Sequence, residues 1–224
     1  MNNLSTLRNF FFVFVSSLGI GCLNYIQDVN LYADGSGVMR ISYWMKSSGN
    51  ENSVIAEKIG LFNEDSLKSA FSSPYNTIEE IEVYADSTDS TMHSLIELTF
   101  NNIDSLNNHK SFKEYKFSLR DGATGQKVFS QFIPPIATGF GVNRSDFKIQ
   151  YKYTFGGEII THNAQEKEGR TLIWNYTLSD IGSGKTILVT FKPFKLKETP
   201  YWIYVLSGIV LLIVVIFLFR KKKD

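Results

Sequence analysis

Cysteine is almost missing from this chain: Cys22 is the only one. A domain with a single thiol closes no internal disulfide, so its stability must come from packing. Net charge is missing too. Lysine and arginine number 23 against 22 acidic residues, a formal balance of +1, and no overall field argues for nucleic acid or an acidic substrate. Catalytic patterns are equally scarce. The chain carries no Gly-x-Ser-x-Gly elbow and no His-Glu-x-x-His pair. His93, His109 and His162 are widely separated and share no metal-ligand spacing. Carboxylate pairs such as Glu79-Glu80 and Asp86/Asp89 fall on strand ends and turns, where solvated faces account for them. Gly182-Ser183-Gly184-Lys185-Thr186 ends like a phosphate-binding loop. Ser179 stands where that loop needs its first glycine, and Ile187-Leu188-Val189-Thr190-Phe191 reads as a strand where it needs a helix, so the segment is a turn. These absences leave no cofactor, metal or nucleic-acid expectation, and they favour a binding or structural role over catalysis.

What is present is strongest at the two ends. Residues 1–8 are polar and include Arg8; an apolar run, Phe10–Val15, follows, and small residues lead to Cys22. A charged start, a short apolar stretch and a small-residue exit form the pattern of an export signal. The apolar run is too short to cross a hydrocarbon layer of about 30 Å as a helix. Leu18-Gly19-Ile20-Gly21-Cys22 resembles a lipobox, with Gly21 at −1 and Leu18 one place early. The reading is a signal peptide over 1–22 with Cys22 as the lipid attachment site. The alternatives are an exported thiol with cleavage elsewhere, or an uncleaved anchor. At the other end, Tyr201–Phe219 carries no charge. As a helix it is about 28 Å long, close to the hydrocarbon thickness. Tyr201, Trp202 and Tyr204 cluster where aromatic rings prefer the interface, and Arg220-Lys221-Lys222-Lys223 follows at once. The expectation is a transmembrane helix over 201–219, a cytoplasmic basic tail over 220–224, a basic stalk over 192–200 and an extracytoplasmic domain over 23–191.

Within the domain, alternation dominates. Asn24–Tyr32 puts Tyr25, Gln27, Val29 and Leu31 on one face, and Val38–Lys46 alternates after the turn Ala33-Asp34-Gly35-Ser36-Gly37. Ser53–Leu61 reads as helical. Asn63 caps a second helical piece, with Glu64 and Asp65 in its first turn and Pro74 as its stop. Further strands are expected at Thr77–Ala85, with Ile78 out of step with Ile81 and Val83, and at Met92–Phe100. A short helix from Asp104 precedes a hairpin of Glu114–Arg120 and Gln126–Phe132 around Asp121–Gly125. Phe147–Phe155 alternates strictly, and Glu158–Thr161, Arg170–Leu178 and Lys185–Phe191 complete the set. Many strands with two early helical pieces predict an α+β domain with a curved, mostly antiparallel sheet and two short helices. The aromatic strand faces suggest a sheet curled around an apolar interior. Phe129, Phe132, Ile133, Ile136 and Phe140 crowd around Pro134-Pro135, which makes Phe132, Ile136 and Phe140 candidates for the mouth of a pocket. A loop tucked over the core explains the same residues.

Two stretches carry a resemblance. Phe155-Gly156-Gly157-Glu158-Ile159-Ile160-Thr161-His162-Asn163 is followed by Gly169-Arg170-Thr171-Leu172-Ile173-Trp174. Earlier, a lipobox-like cysteine is followed by Asp28-Val29-Asn30-Leu31 and Asp34-Gly35-Ser36-Gly37. The pattern resembles the LppM-type domain of bacterial envelope lipoproteins, with Gly156 where that family has proline. The resemblance implies an α+β domain similar to lipid-binding folds, with an envelope lipid or glycolipid as partner, and brings no catalytic residue. The expected function is a membrane-anchored binding protein, with a structural or protein-interaction domain of the envelope as the other reading.

Overall fold

The computed structural model describes residues 23–46, 56, 60–135, 147–194 and 201–220. The leader with Cys22, most of the helix expected over Ser53–Leu61, Ile136, Phe140, the stalk from 195 and the tail from 221 lie outside the described residues. The chain divides into two compact units, Met1–Pro193 and Phe194–Asp224.

The described part of the first unit is α+β, with eleven strands in two sheets and a few short helical pieces. β1 (Asn24–Leu31) and β2 (Gly37–Lys46) form the expected hairpin, in register from Asn24↔Trp44 to Leu31↔Gly37. Asp34 Oδ1 tightens the turn by accepting from the Ser36 amide at 3.0 Å and its hydroxyl at 2.7 Å. α1 (Glu64–Phe71) starts where Asn63 predicts: its side chain accepts from the Ser66 amide, and Leu67 and Phe71 are buried. β3 (Thr77–Asp86) and β4 (Thr91–Phe100) follow, and a register shift between Ile78 and Glu80 is what puts Ile78 out of step. A 3-10 turn at Ile103–Asn108 leads on to β5 (Ser118–Asp121) and β6 (Lys127–Ile133). β7 (Lys148–Phe155), β8 (Gly157–His162), β9 (Glu166–Glu168) and β10 (Thr171–Thr177) precede α2 (Leu178–Ile181) and β11 (Lys185–Pro193).

The larger sheet has the order β3-β4-β2-β1-β7-β10-β9, and the smaller β5-β6-β11-β8. Pairings are antiparallel except β1 with β7, which run parallel and join residues more than a hundred positions apart. The inner face of the large sheet is covered by the smaller sheet, α1 and the 3-10 segments, whose buried residues form one core cluster with it. Interior space is filled by rings: Phe129 against Tyr153 at 4.9 Å, and Phe155 against Phe191 at 5.0 Å. Each such side chain contributes roughly 1.5–3 kcal/mol by leaving water.

Three stretches differ from the sequence expectation. Glu114–Arg120 is not one strand. Lys113–Tyr115 is a 3-10 turn, and Lys116 takes a left-handed φ of 47° that breaks the extended path. The break lets Tyr115 and Phe117 stack on each other, centroids 5.7 Å apart. Leu178 is helical rather than the end of a strand, because Thr177 and Asp180 form a capping box there. β9 carries no strand signal in the sequence, since its three residues are charged and exposed and show no apolar alternation.

The second unit contains α3 (Tyr201–Arg220). By length and composition, Tyr201–Leu218 is long and apolar enough to cross a membrane.

Candidate functional site

Strand alternation sends Tyr25, Tyr43, Ile149, Tyr151 and Trp174 to the core and leaves the even-numbered positions of β1, β2 and β7 on the outer face of the large sheet. Cross-strand register then assembles rows on that face. One row runs Tyr84, His93, Trp44, Asn24, Lys148, Thr177. The next includes Leu95, Ser42, Ile26, Gln150 and Asn175. Between the two rows lies a groove of about 500 Å³. Trp44 lines it with Ile26, Asn24, Gln150 and Asn175, and between the two rows it passes over Tyr25, Ile149 and Tyr176, which the register turns to the other face. Ile26 points outward yet is half-buried, which places it low in the groove.

The polar rim is braced. Gln150 Nε2 donates to Asn175 Oδ1 at 2.8 Å, and Asn175 Nδ2 donates to Glu166 at 2.9 Å. The Asn175 backbone N–H donates to Gln165 Oε1 at 3.0 Å. Asp180, also on the rim, accepts from the hydroxyl and amide of Thr177, and these bonds hold its pKa below the ordinary 3.8. Burial, helped by the charge of Asp180, raises the pKa of Tyr176. The lining itself holds one acidic side chain, Asp180, one basic side chain, Lys148, and several neutral hydrogen-bonding groups, with a second acidic side chain, Glu166, bonded behind Asn175.

On the inner face, a smaller cleft of about 220 Å³ lies under α1, lined by Tyr25, Tyr43, Leu67, Phe71, Phe112 and Tyr115 among others. Tyr25 borders both recesses. From it a buried polar chain crosses between the sheets. Tyr25 OH donates to Gln27 Oε1 at 2.9 Å, Gln27 Nε2 to Tyr153 OH at 2.9 Å, and Tyr153 OH to Gln131 Oε1 at 2.5 Å. Burial drives the pKa of Tyr25, Tyr151 and Tyr153 well above 10, so all three stay neutral donors. Gln131 is fully buried and its Nε2 has no hydrogen-bond partner among the described residues.

The residues singled out in the sequence are not gathered by the described structure. Cys22, Ile136 and Phe140 lie outside it. Phe132 is half-buried on the face of β6 turned away from the core, because Phe129, Gln131 and Ile133 take the inward positions. Its ring packs at Gly184, and Lys116 Nζ sits 5.3 Å from its centroid. The three histidines are dispersed: His93 stacks on the outer face, His109 is buried beside Phe112, and His162 ends β8 exposed. The groove beside Trp44 has one signal in the sequence: a tryptophan at an otherwise polar, outward position of an alternating strand.

No known protein-family profile matches the chain, and no curated protein does. Among solved structures, the folded domain of LppM from Mycobacterium tuberculosis, determined by NMR, is similar with a TM-score of 0.48 and 15% identity, over 78% of this chain and 91% of that one. At that distance the likeness says nothing of what the groove holds.

Proposed function

We propose that this chain is a membrane-anchored extracytoplasmic binding protein, not an enzyme, and that its domain holds a lipid or glycolipid of the cell envelope. The observation that carries the reading is the groove beside Trp44, in which an apolar base and an aromatic wall meet a rim of fixed amides. Its volume of about 500 Å³ falls in the range of small-molecule sites, roughly 300–1,000 Å³. Since rings fill the interior between the sheets, the ligand's place is this outer groove, and the cleft under α1 suits no more than a short apolar tail.

The anchoring part of the reading is supported by α3, an apolar helix followed by Lys221-Lys222-Lys223. Contiguous basic residues at one end favour the cytoplasmic side for the tail and leave the domain outside. The leader pattern agrees, and Cys22 is the proposed point of acylation.

Among the described residues every member of the core cluster lies between Tyr25 and Phe191, so residues 23–194 keep that core. That domain, incubated with phospholipid and glycolipid vesicles and examined by native mass spectrometry, is expected to carry bound lipid. A domain that emerges lipid-free from both would overturn the reading. A protein-interaction role is the second reading. It is favoured by β3, ten residues long at the edge of the large sheet, whose outer side pairs with no strand among the described residues.

A further inference from the structure

Trp44 is held upright as one wall of the groove by a stack that runs across three strands. His93 is its partner in the β2–β4 register, and Tyr84 is the partner of His93 in the β3–β4 register. The rings stand on edge. Tyr84 and His93 are 4.8 Å apart with planes 2° from parallel, and His93 and Trp44 are 6.2 Å apart at 18°. The stack is locked at its middle. Thr91 Oγ1 donates to Asp89 at 2.5 Å, so its oxygen is left to accept from Nε2 of His93 at 2.7 Å. One face of Trp44 is thus taken by His93 on the β4 side. The other borders the groove on the β1 side, and the residue stays 36% exposed.

That open indole face looks onto neutral hydrogen-bonding groups. Gln150 and Asn175 hold each other in place, and the Gln150 carbonyl oxygen has no hydrogen bond among the described residues. Thr177 completes the rim, where Lys148 offsets Asp180 and the Glu166 carboxylate stands behind Asn175. An acyl chain would cover the Gln150 carbonyl oxygen without giving it a donor. An anion would meet Asp180, and a cation would meet Lys148. A pyranose ring has the matching duality: one face of C–H groups for an aromatic wall, and an edge of hydroxyls for amides. We propose that the groove binds a neutral pyranose, stacked on the free face of Trp44 with hydroxyls on Gln150 and Asn175. This deepens the binding-protein reading and rests on it. The sugar's source is either a glycolipid headgroup or a free glycan, and the chemistry of recognition is the same.

The test uses the 23–194 domain with maltohexaose and chitohexaose free in solution, and with diglucosyl diacylglycerol in phosphatidylcholine vesicles. NMR titration is expected to show saturable shifts at Gln150, Asn175 and the Trp44 indole N–H. Trp44→Ala should weaken binding about tenfold, and Trp44→Phe should weaken it less, since an aromatic face remains. Tyr84→Ala touches no ligand and should cost about threefold through a loosened wall. The variants are accepted only with wild-type thermal unfolding, which the exposure of Trp44 and Tyr84 makes attainable. Binding of the free sugars alone supports the proposal with a glycan as source, and binding of the vesicle-borne sugar alone supports it with a lipid headgroup. No binding of any of the three sugars, or equal binding by Trp44→Ala, overturns it. If plain phosphatidylcholine is still taken up when no sugar binds, the pyranose proposal alone has failed. If nothing is taken up, the binding-protein reading has failed with it.

Discussion

The indole Nε1 of Trp174 donates to Oδ1 of Asn163 at 3.1 Å, tying the middle of β10 to the turn after β8. Asn163 also accepts from the Leu188 amide at 3.0 Å and donates to the Thr186 carbonyl at 2.7 Å, so one side chain joins both sheets. Asn163→Ala is expected to destabilise the domain by about 1–3 kcal/mol, because the N–H of the buried Trp174 loses its acceptor. Asn163→Asp keeps the acceptor and should cost less. Urea unfolding followed by tryptophan fluorescence checks both.

Tyr153 and Gln131 form the second bridge between the sheets. Tyr153→Phe should cost about 1–3 kcal/mol by stranding the Gln27 donor and the Gln131 acceptor. Adding Gln131→Leu removes a buried acceptor and the partnerless Nε2 together, so the double variant should be no less stable than Tyr153→Phe alone. A further loss in the double variant would contradict this account of the network.

Gly184 has φ 121°, and a Cβ there would stand 2.4 Å from Cζ of Phe132. Gly184→Ala is expected to lower stability by about 1–3 kcal/mol from backbone strain, with the clash added. Phe132→Ala in the same chain should recover the clash but not the strain. Thermal unfolding of the two single variants and the double variant separates the contributions.

His109 is buried, its Nδ1 accepting from the Ser111 amide at 3.0 Å. Burial first, and Lys110 to a lesser degree, hold its pKa below 6.5, against a contact with the Ser72 carbonyl that favours the charged ring. The folded state therefore binds fewer protons than the unfolded one below about pH 6.5. Stability should be full above that pH and fall as pH drops from it towards the depressed folded value. His109→Gln should flatten this part of the profile in urea titrations across pH 5–7.

α3 should keep the full chain in the pellet after alkaline carbonate washing, and a chain ending at Pro193 should be released unless Cys22 is acylated. Protease added to intact, wall-stripped cells should digest the domain and spare a tag after Asp224. A protected domain with a digested tag would reverse the proposed topology.

The sequence foretold strand faces better than strand company. Alternation in Asn24–Leu31 and Lys148–Phe155 placed Tyr25, Val29, Tyr151 and Phe155 inward, as found. The Asn63 cap and the awkward Ile78 were legible because their causes are local. The Asn163 and Trp174 positions of the family-like pattern proved to be hydrogen-bonded partners. The candidate site was not legible, because it is made by pairing. Trp44, Asn24 and Lys148 become neighbours only through the order β2-β1-β7, and the parallel step from β1 to β7 leaves no turn signal in the chain. The break at Lys116 was hidden because a left-handed lysine has no residue-type signature, unlike a glycine.

The chain enters the domain at Asn24 and leaves it at Pro193, and these points lie at opposite ends of the strands. Pro193 pairs with Gly157, whose neighbour Gly156 bonds back to Leu31, the far end of β1. β1 is flanked along all eight residues by β2 on one side and β7 on the other. A pull between the two exits runs along β1 rather than across it, while its backbone bonds lie crosswise to β2 and slant across to β7. Under such a load β1 must slide past both partners with every bond strained together, and it cannot be peeled away one pair at a time. A domain pulled at both ends would thus carry tension in shear.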